Sequence, residues 1–308
     1  MSENRPAIVV EHVVKRYGTH LAVDDLSFAI QAGEIFGILG PNGAGKTSTI
    51  EMMEGYRNPD SGSISVLGIN PHRQPKALRQ QIGVMLQDGG VSPAARVEAL
   101  LRLYHAFSPT GLTVQQALEQ SGLSEVRKQL VRKLSGGQRA RLSLALAMMG
   151  TPRVLFLDEP TAGMDPHARE ATLGLVKTIA ESGVTVVLST HLLDEAEQVC
   201  DRILIMNHGR QVALDSPRNL MAQNDQHRIC LRIRSAIDTA ALCAALAIPE
   251  HACSETGPLE YQFDIRPTPT HVATLTRWLA EHDIGLLSLD TGTRRLEDVF
   301  LDLTRREL

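Results

Sequence analysis

The chain is expected to fold as an α/β domain with a mainly parallel sheet and an inserted block of helices, followed by a small α+β domain. Three observations over 308 residues predict this. Short apolar strands alternate with helical patterns, which implies parallel strands joined by crossover helices. From about residue 93 to 149 strand patterns give way to helical periodicity alone, so a helical block interrupts the α/β pattern. Around "DSPRNLMAQNDQHR" regular patterning loosens before a second, shorter run of strands and helices begins. The expected bounds are 5–222 for the first domain, with its helical part at about 90–150, and 223–308 for the second, both of ordinary domain size.

Element by element, "IVVEHVVKRYG" and "LAVDDLSFAI" alternate apolar and polar residues and read as antiparallel strands joined by a turn at Gly18-Thr19. "GEIFGILG" is a buried strand ending in a glycine-rich loop, after which "KTSTIEMMEGY" begins a helix. "GSISVLG" and "QIGVMLQ" add strands. "AARVEALLRLYHAF", "VQQALEQSGL" and "ARLSLALAMM" carry helical spacing and are separated by Ser, Pro and Gly. Strands return at "RVLFLDEP", "VTVVLSTH" and "RILIMNHG", with "PHAREATLGLVKTIAES" and "DEAEQVCD" as helices between them. In the last part "RICLRIR", "YQFDIR" and "GLLSLD" read as strands, and "DTAALCAALA", "THVATLTRWLAEH" and "RRLEDVFLDLT" as helices. Trp278 shares a stripe with Val272 and Leu275 and is expected in that domain's core.

Composition excludes several classes of function. The net charge of −4 and the scattered basic residues argue against nucleic acid as a partner. The cysteines Cys200, Cys230, Cys243 and Cys253 form no C-x-x-C pair, and the eleven histidines show no H-x-x-x-H arrangement. Reduced packing thiols of a cytosolic protein are expected, and no metal cage. No apolar run approaches the roughly 18 residues needed to span a bilayer, and "MSENRPAIVVEHVVKRYG" lacks the apolar core of a signal peptide.

"GPNGAGKT", Gly40 to Thr47, fits G-x-x-x-x-G-K-[ST] between a buried strand and a helix. Glycines let successive backbone N–H groups converge on phosphate oxygens, and the helix start adds the positive end of its dipole. Lys46 then supplies a cation to the β- and γ-phosphates, and the Thr47 hydroxyl suits Mg²⁺. "VLFLDEP" is an apolar strand ending in two acids. Asp158 at its tip can hold the magnesium ion, directly or through water; Glu159, pointing differently, can orient or deprotonate a water.

"KLSGGQRARL" contains no acid, thiol or histidine, yet places Gly136 and Gly137 at a helix start, where glycine costs stability. A second glycine-rich helix start is a second anion site by the same physics. One nucleotide does not need both from one lobe. The expectation is that Ser135 to Gln138 close over the γ-phosphate held by another copy, whose contacts offset the cost in helix propensity.

The phosphate loop, "LSGGQ" and "LFLDEP", in this order over about residues 5–222, resemble the nucleotide-binding subunit of ABC transporters. The resemblance implies a RecA-like P-loop NTPase core with an antiparallel β subdomain, a helical subdomain carrying the pentapeptide, and a head-to-tail dimer enclosing two MgATP. It implies that Gly40, Pro41, Asn42, Gly43, Ala44, Gly45, Lys46, Thr47 and Ser48 hold ATP and that Tyr17 stacks on adenine. Thr47, Gln87 and Asp158 would hold Mg²⁺, Glu159 would be the general base, and His191 would contact the γ-phosphate. Ser135, Gly136, Gly137, Gln138 and Asp165 would reach the partner's ATP. The sequence departs from the family pattern at Ala162, where many members have serine, and in the glycine-rich "QDGGVSPAA" after Gln87.

"RRLEDVFLDLT" looks like the C-terminal end of ATPase subunits in ABC-2-type exporters, the group that includes drug-export ATPases. An ATPase at the cytoplasmic face of the cell membrane is therefore expected. It would power a separate integral-membrane permease of ABC-2 type that exports drugs or other small amphipathic molecules. The alternative is a soluble ABC ATPase acting on ribosomes or chromosomes. Such members usually carry two cassettes or long coiled coils, and this chain has one cassette and no sustained heptads. A module that binds nucleotide without turnover is disfavoured by the joint presence of Lys46, Asp158, Glu159 and His191.

Overall fold

The computed structural model describes residues 5–85, 91–222, 228–291, 296–297 and 299–300. The chain divides into two compact units, 1–217 and 218–308. In the first unit, β1 (Pro6–Tyr17) and β2 (His20–Gln31) form a hairpin whose turn contains Gly18 at φ 59°. β3 (Ile35–Leu39) runs into α1 (Lys46–Glu54), followed by β4 (Ser61–Val66), a short α2 (Pro75–Arg79) and β5 (Ile82–Met85). The helices α3 (Val97–Phe107), α4 (Val114–Gln120) and α5 (Gly136–Met148) come next. β6 (Val154–Asp158), α6 (Pro166–Glu181), β7 (Thr185–Thr190), α7 (Leu193–Val199), β8 (Arg202–Asn207) and β9 (Arg210–Asp215) complete this unit, and α8 (Pro217–Ala222) follows at the division.

Two sheets share one core. β2, β1 and β4 pair antiparallel in that order, and the second sheet has the order β5-β6-β7-β3-β8-β9. Its first five strands are parallel and β9 runs antiparallel to β8. Every residue of β3 and β7 is buried, as expected for parallel strands covered on both faces. Ile8, Val10, Leu26 and Ile30 from the antiparallel sheet join Phe36, Ile38, Phe156 and Met52 in one cluster. Phe28 stacks on Phe36 with ring centroids 5.4 Å apart, which ties the sheets together. α3, α4 and α5 bury a separate cluster of their own, including Leu101, Leu118 and Leu142. The inserted block is thus a helical layer with its own core.

The second unit continues with β10 (Ile229–Ile233), α9 (Thr239–Ala245), β11 (Cys253–Gly257), β12 (Glu260–Phe263), α10 (Pro269–Glu281) and β13 (Leu286–Asp290). The strands form an antiparallel sheet of order β11-β12-β10-β13. Ile229, Leu231 and Ile233, alternating along β10, pack with Leu242, Leu275 and Trp278 from the two helices. Trp278 is buried and stacks on His282, and Val272 is half-buried on the same helix. Gln87 and most of "RRLEDVFLDLT" lie outside the described residues. No described helix is long and apolar enough to cross a membrane.

Candidate nucleotide site

The loop after β3 is shaped by close backbone packing. A Cβ on Gly40 would stand 2.4 Å from the Met206 carbonyl oxygen, and one on Gly45 would stand 2.2 Å from that of Ala22. Gly45 also has φ 98°, where a side chain is strained. α1 begins directly after it, and no side chain caps its N-terminus. Its first-turn N–H groups therefore have no intrahelical acceptor, and the positive end of the helix dipole opens into the loop. Lys46, 7% exposed, curls back so that Nζ donates to the carbonyls of Gly40 at 2.7 Å and Pro41 at 3.1 Å. Burial pulls its pKa below the usual lysine value, and the carboxylates of Glu159 and Asp158 oppose that shift.

Asp158 ends β6, opposite Ser189 of β7. The Ser189 hydroxyl donates to Asp158 Oδ1. Glu159 has φ 48°, a left-handed conformation that costs a non-glycine residue about 1–2 kcal/mol. Its N–H is shared between the Ser189 carbonyl and hydroxyl oxygens, each at 3.1 Å, which holds the turn in place. The Glu159 side chain meets His191, with Oε1 3.0 Å from Nδ1. His191 follows β7 directly and is half exposed. One serine thus touches both acids, a role that the sequence reading missed.

Lys46, Asp158 and Glu159 line a cavity of about 280 Å³, whereas Gly40, Pro41 and His191 are not on its lining. Tyr17 and His20 form one wall, residues 42–48 the floor, and Asp158 and Glu159 another wall. Ser48 donates its hydroxyl to the Tyr17 hydroxyl at 3.3 Å, and Lys15 Nζ lies 5.6 Å from the Tyr17 ring centroid. The aromatic face and the anion cradle belong to one pocket, a fit for a nucleoside phosphate. Thr47 and Asp158, both on its lining, are hard oxygen donors of the kind Mg²⁺ prefers. Among the described residues no group of three or more His, Cys, Asp or Glu could hold a metal. A cation at this place would complete its shell with phosphate oxygens and water, which also fits Mg²⁺.

The remaining candidates stand apart from this cavity. Ser135 caps α5, where its hydroxyl accepts the Gln138 N–H at 3.2 Å while the Gln138 side chain accepts the Ser135 N–H at 3.0 Å. The two glycines after it differ. Gly136 faces open space, with its nearest atom 3.9 Å from an added Cβ, whereas a Cβ on Gly137 would stand 2.6 Å from that of Ala168 on α6. Gly137 is required by helix packing within the chain, so phosphate contact is not the only offset to its cost. Gly136, Arg139 and Ala140 of α5 line a second cavity, about 560 Å³, with Glu159, Ala162 and Met164 opposite. Asp165 caps α6, accepting the Ala168 N–H at 2.9 Å. Gln87 falls outside the described residues.

Comparison with known proteins gives the family. A family model described as "ABC transporter" matches residues 23–162. A second, described as "AAA domain, putative AbiEii toxin, Type IV TA system", matches residues 131–194. The Nod factor export ATP-binding protein I of Ralstonia nicotianae is 34% identical over 98% of this chain and 95% of its own length. The linearmycin resistance ATP-binding protein LnrL of Bacillus subtilis is 35% identical over 97% of this chain and 98% of its own. Among solved structures, cbiO1 of Clostridium perfringens, part of an ABC transporter complex, is 26% identical, with TM-score 0.64 over 72% of this chain and 93% of that one. With the full length shared at this identity and the phosphate loop, acids and capped "LSGGQ" helix in place, the chain belongs to the ABC transporter family, as one of its ATP-binding subunits, and is an ATPase.

Proposed function

We propose that two copies of this chain close head to tail around two MgATP and thereby drive a separate integral-membrane permease of ABC-2 type. The subunit would sit at the cytoplasmic face of the membrane, and the permease would export drugs or other small amphipathic molecules. One observation carries the dimer: a single cavity unites the phosphate loop with Lys46, Asp158 and Glu159, while the start of α5 lies outside it. The exposed Ser135 and Gly136 at that helix start are free to take a phosphate from elsewhere, and a second copy supplies it.

ATP binds with its triphosphate on residues 40–48, Lys46 against the β- and γ-phosphates, and adenine on Tyr17. Thr47, Asp158 and Gln87 would hold Mg²⁺, which would neutralise charge on the phosphate oxygens. Glu159 orients a water on the γ-phosphate and takes up its proton, and His191 contacts the same phosphate. Ser135 to Gln138 and Asp165 complete the partner's site. Hydrolysis removes the shared γ-phosphate and lets the copies part.

The names of the relatives support export: one is a Nod factor export protein and another a linearmycin resistance protein, and each matches nearly end to end. A docking strip for a permease helix is supported by Leu103, Tyr104 and Phe107, exposed together on α3, with Phe107 79% exposed. The test is affinity purification of the chain from native membranes, with identification of co-purifying proteins. An integral-membrane permease whose presence raises MgATP turnover is expected. Recovery of ribosomes or chromosomal DNA instead would refute the transport reading.

A further inference from the structure

Behind the Glu159–His191 pair lies a buried polar cluster outside the nucleotide cavity. At its centre is Glu195, in the first turn of α7 and 2% exposed. Its two carboxylate oxygens accept the Thr161 hydroxyl at 2.6 and 2.7 Å, and Oε2 also accepts the Thr190 hydroxyl at 3.2 Å. The Thr190 hydroxyl in turn accepts the Leu192 N–H at 3.0 Å. Arg169 of α6 brings Nε to 3.2 Å from Glu195 Oε1. That contact lacks the alignment of a hydrogen bond, so the arginine supplies charge. Both threonines are buried.

The placement of these partners matters more than their number. Thr161 stands two residues after Glu159, and Thr190 immediately before His191. One carboxylate therefore clasps both segments that carry the pair. A buried, paired carboxylate contributes little net stability, because desolvation offsets most of its attraction, and apolar residues of the same volume would serve a core as well. What it supplies is a fixed geometry, since its hydrogen bonds are directional and cannot be satisfied if either segment shifts.

We propose that Glu195 is a positioning residue for ATP hydrolysis, locking the loop after β6 to the end of β7 through Thr161 and Thr190. It acts through Glu159 and His191, and so rests on the reading of those two as the groups that face the γ-phosphate. Thr161→Val removes the strongest contact at unchanged shape, whereas Thr161→Ser keeps the hydroxyl.

The test is steady-state MgATP hydrolysis by the full chain, below each variant's melting temperature. Thr161→Val should lower kcat about tenfold to a hundredfold, the cost of a misplaced reacting group. The KM for ATP should stay within about threefold, because the interaction lost is felt in the transition state. Thr161→Ser should restore kcat. An unchanged kcat in Thr161→Val, a parallel rise in KM, or failure of Thr161→Ser to restore turnover would each overturn the proposal. If Thr161→Val does not fold, Thr190→Val, which removes the other hydroxyl that Glu195 accepts, gives the same readings. Glu159→Gln and His191→Ala are assayed beside them. If these lose turnover while Thr161→Val keeps it, only the positioning role falls; if they keep it, the reading of the pair falls too, and the positioning role with it.

Discussion

The two glycines at the start of α5 give opposite predictions from positions one residue apart. Replacing Gly137 by Ala places a methyl 2.6 Å from the Ala168 Cβ and 3.5 Å from its Cα. A contact that short cannot persist, and the atom it meets is fixed to a helix backbone, so α5 and α6 must separate. Overpacking of this kind costs about 1–3 kcal/mol. Replacing Gly136 by Ala meets nothing closer than 3.9 Å and gains up to about 1 kcal/mol of helix propensity. For a unit of 217 residues, each kcal/mol moves the midpoint by about 2–4 °C. Thermal unfolding followed by circular dichroism, without nucleotide, should show Gly137→Ala melting roughly 2–12 °C below the parent. Gly136→Ala should melt level with the parent or up to about 4 °C above it. In the presence of MgATP the order of effects changes, because a methyl at Gly136 stands where the partner's phosphate is proposed to bind: turnover should fall although the fold is intact. Equal destabilisation by both substitutions would refute the packing argument.

Other perturbations follow from single contacts. Lys46→Ala should weaken ATP binding by about tenfold to a hundredfold, the worth of charge-assisted hydrogen bonds, measured by titration calorimetry; full affinity would contradict the loop assignment. Glu159→Gln should abolish turnover while leaving ATP affinity unchanged, since the phosphate loop is untouched; unchanged steady-state hydrolysis would remove Glu159 from its role. Glu54, 6% exposed at the end of α1, has its pKa pushed up to about 8 from 4.5, by burial first and then by the charges of Asp158 and Glu51. The folded state therefore holds this proton longer than the unfolded state. Glu54 thus favours folding below the unfolded value, and that contribution is lost as pH rises from 4.5 through about 8, by at most about 1.4 kcal/mol per pH unit. In urea melts without nucleotide, Glu54→Gln should gain on the parent across that window and match it below; a constant difference would refute the assignment.

The sequence displays these features unevenly, for physical reasons. β3, β6 and β7 were legible because strands buried on both faces carry a continuous apolar run, with polar residues only towards their ends. β9 and β11 were not, because each lies at the end of its sheet and "RQVALD" and "CSETG" bury little. The phosphate loop, Lys46, Asp158 and Glu159 could be read because their chemistry depends on local spacing. Ser189 could not: it becomes a partner of both acids only through the register that sets it opposite Asp158. Glu195 is similarly silent, since α7 must return it to Thr161, distant by 34 positions. Gly137 reads as an anion-site glycine from sequence alone, and only the approach of Ala168 shows its packing role.

The dimer is tested most directly by the mass in solution of the Glu159→Gln chain, measured by light scattering on a size-exclusion column with and without MgATP. A shift with MgATP from the chain mass of 33.6 kDa to twice that value, abolished by adding Lys46→Ala, is the predicted result. A species that stays at the single-chain mass at high protein concentration and saturating MgATP would contradict the account.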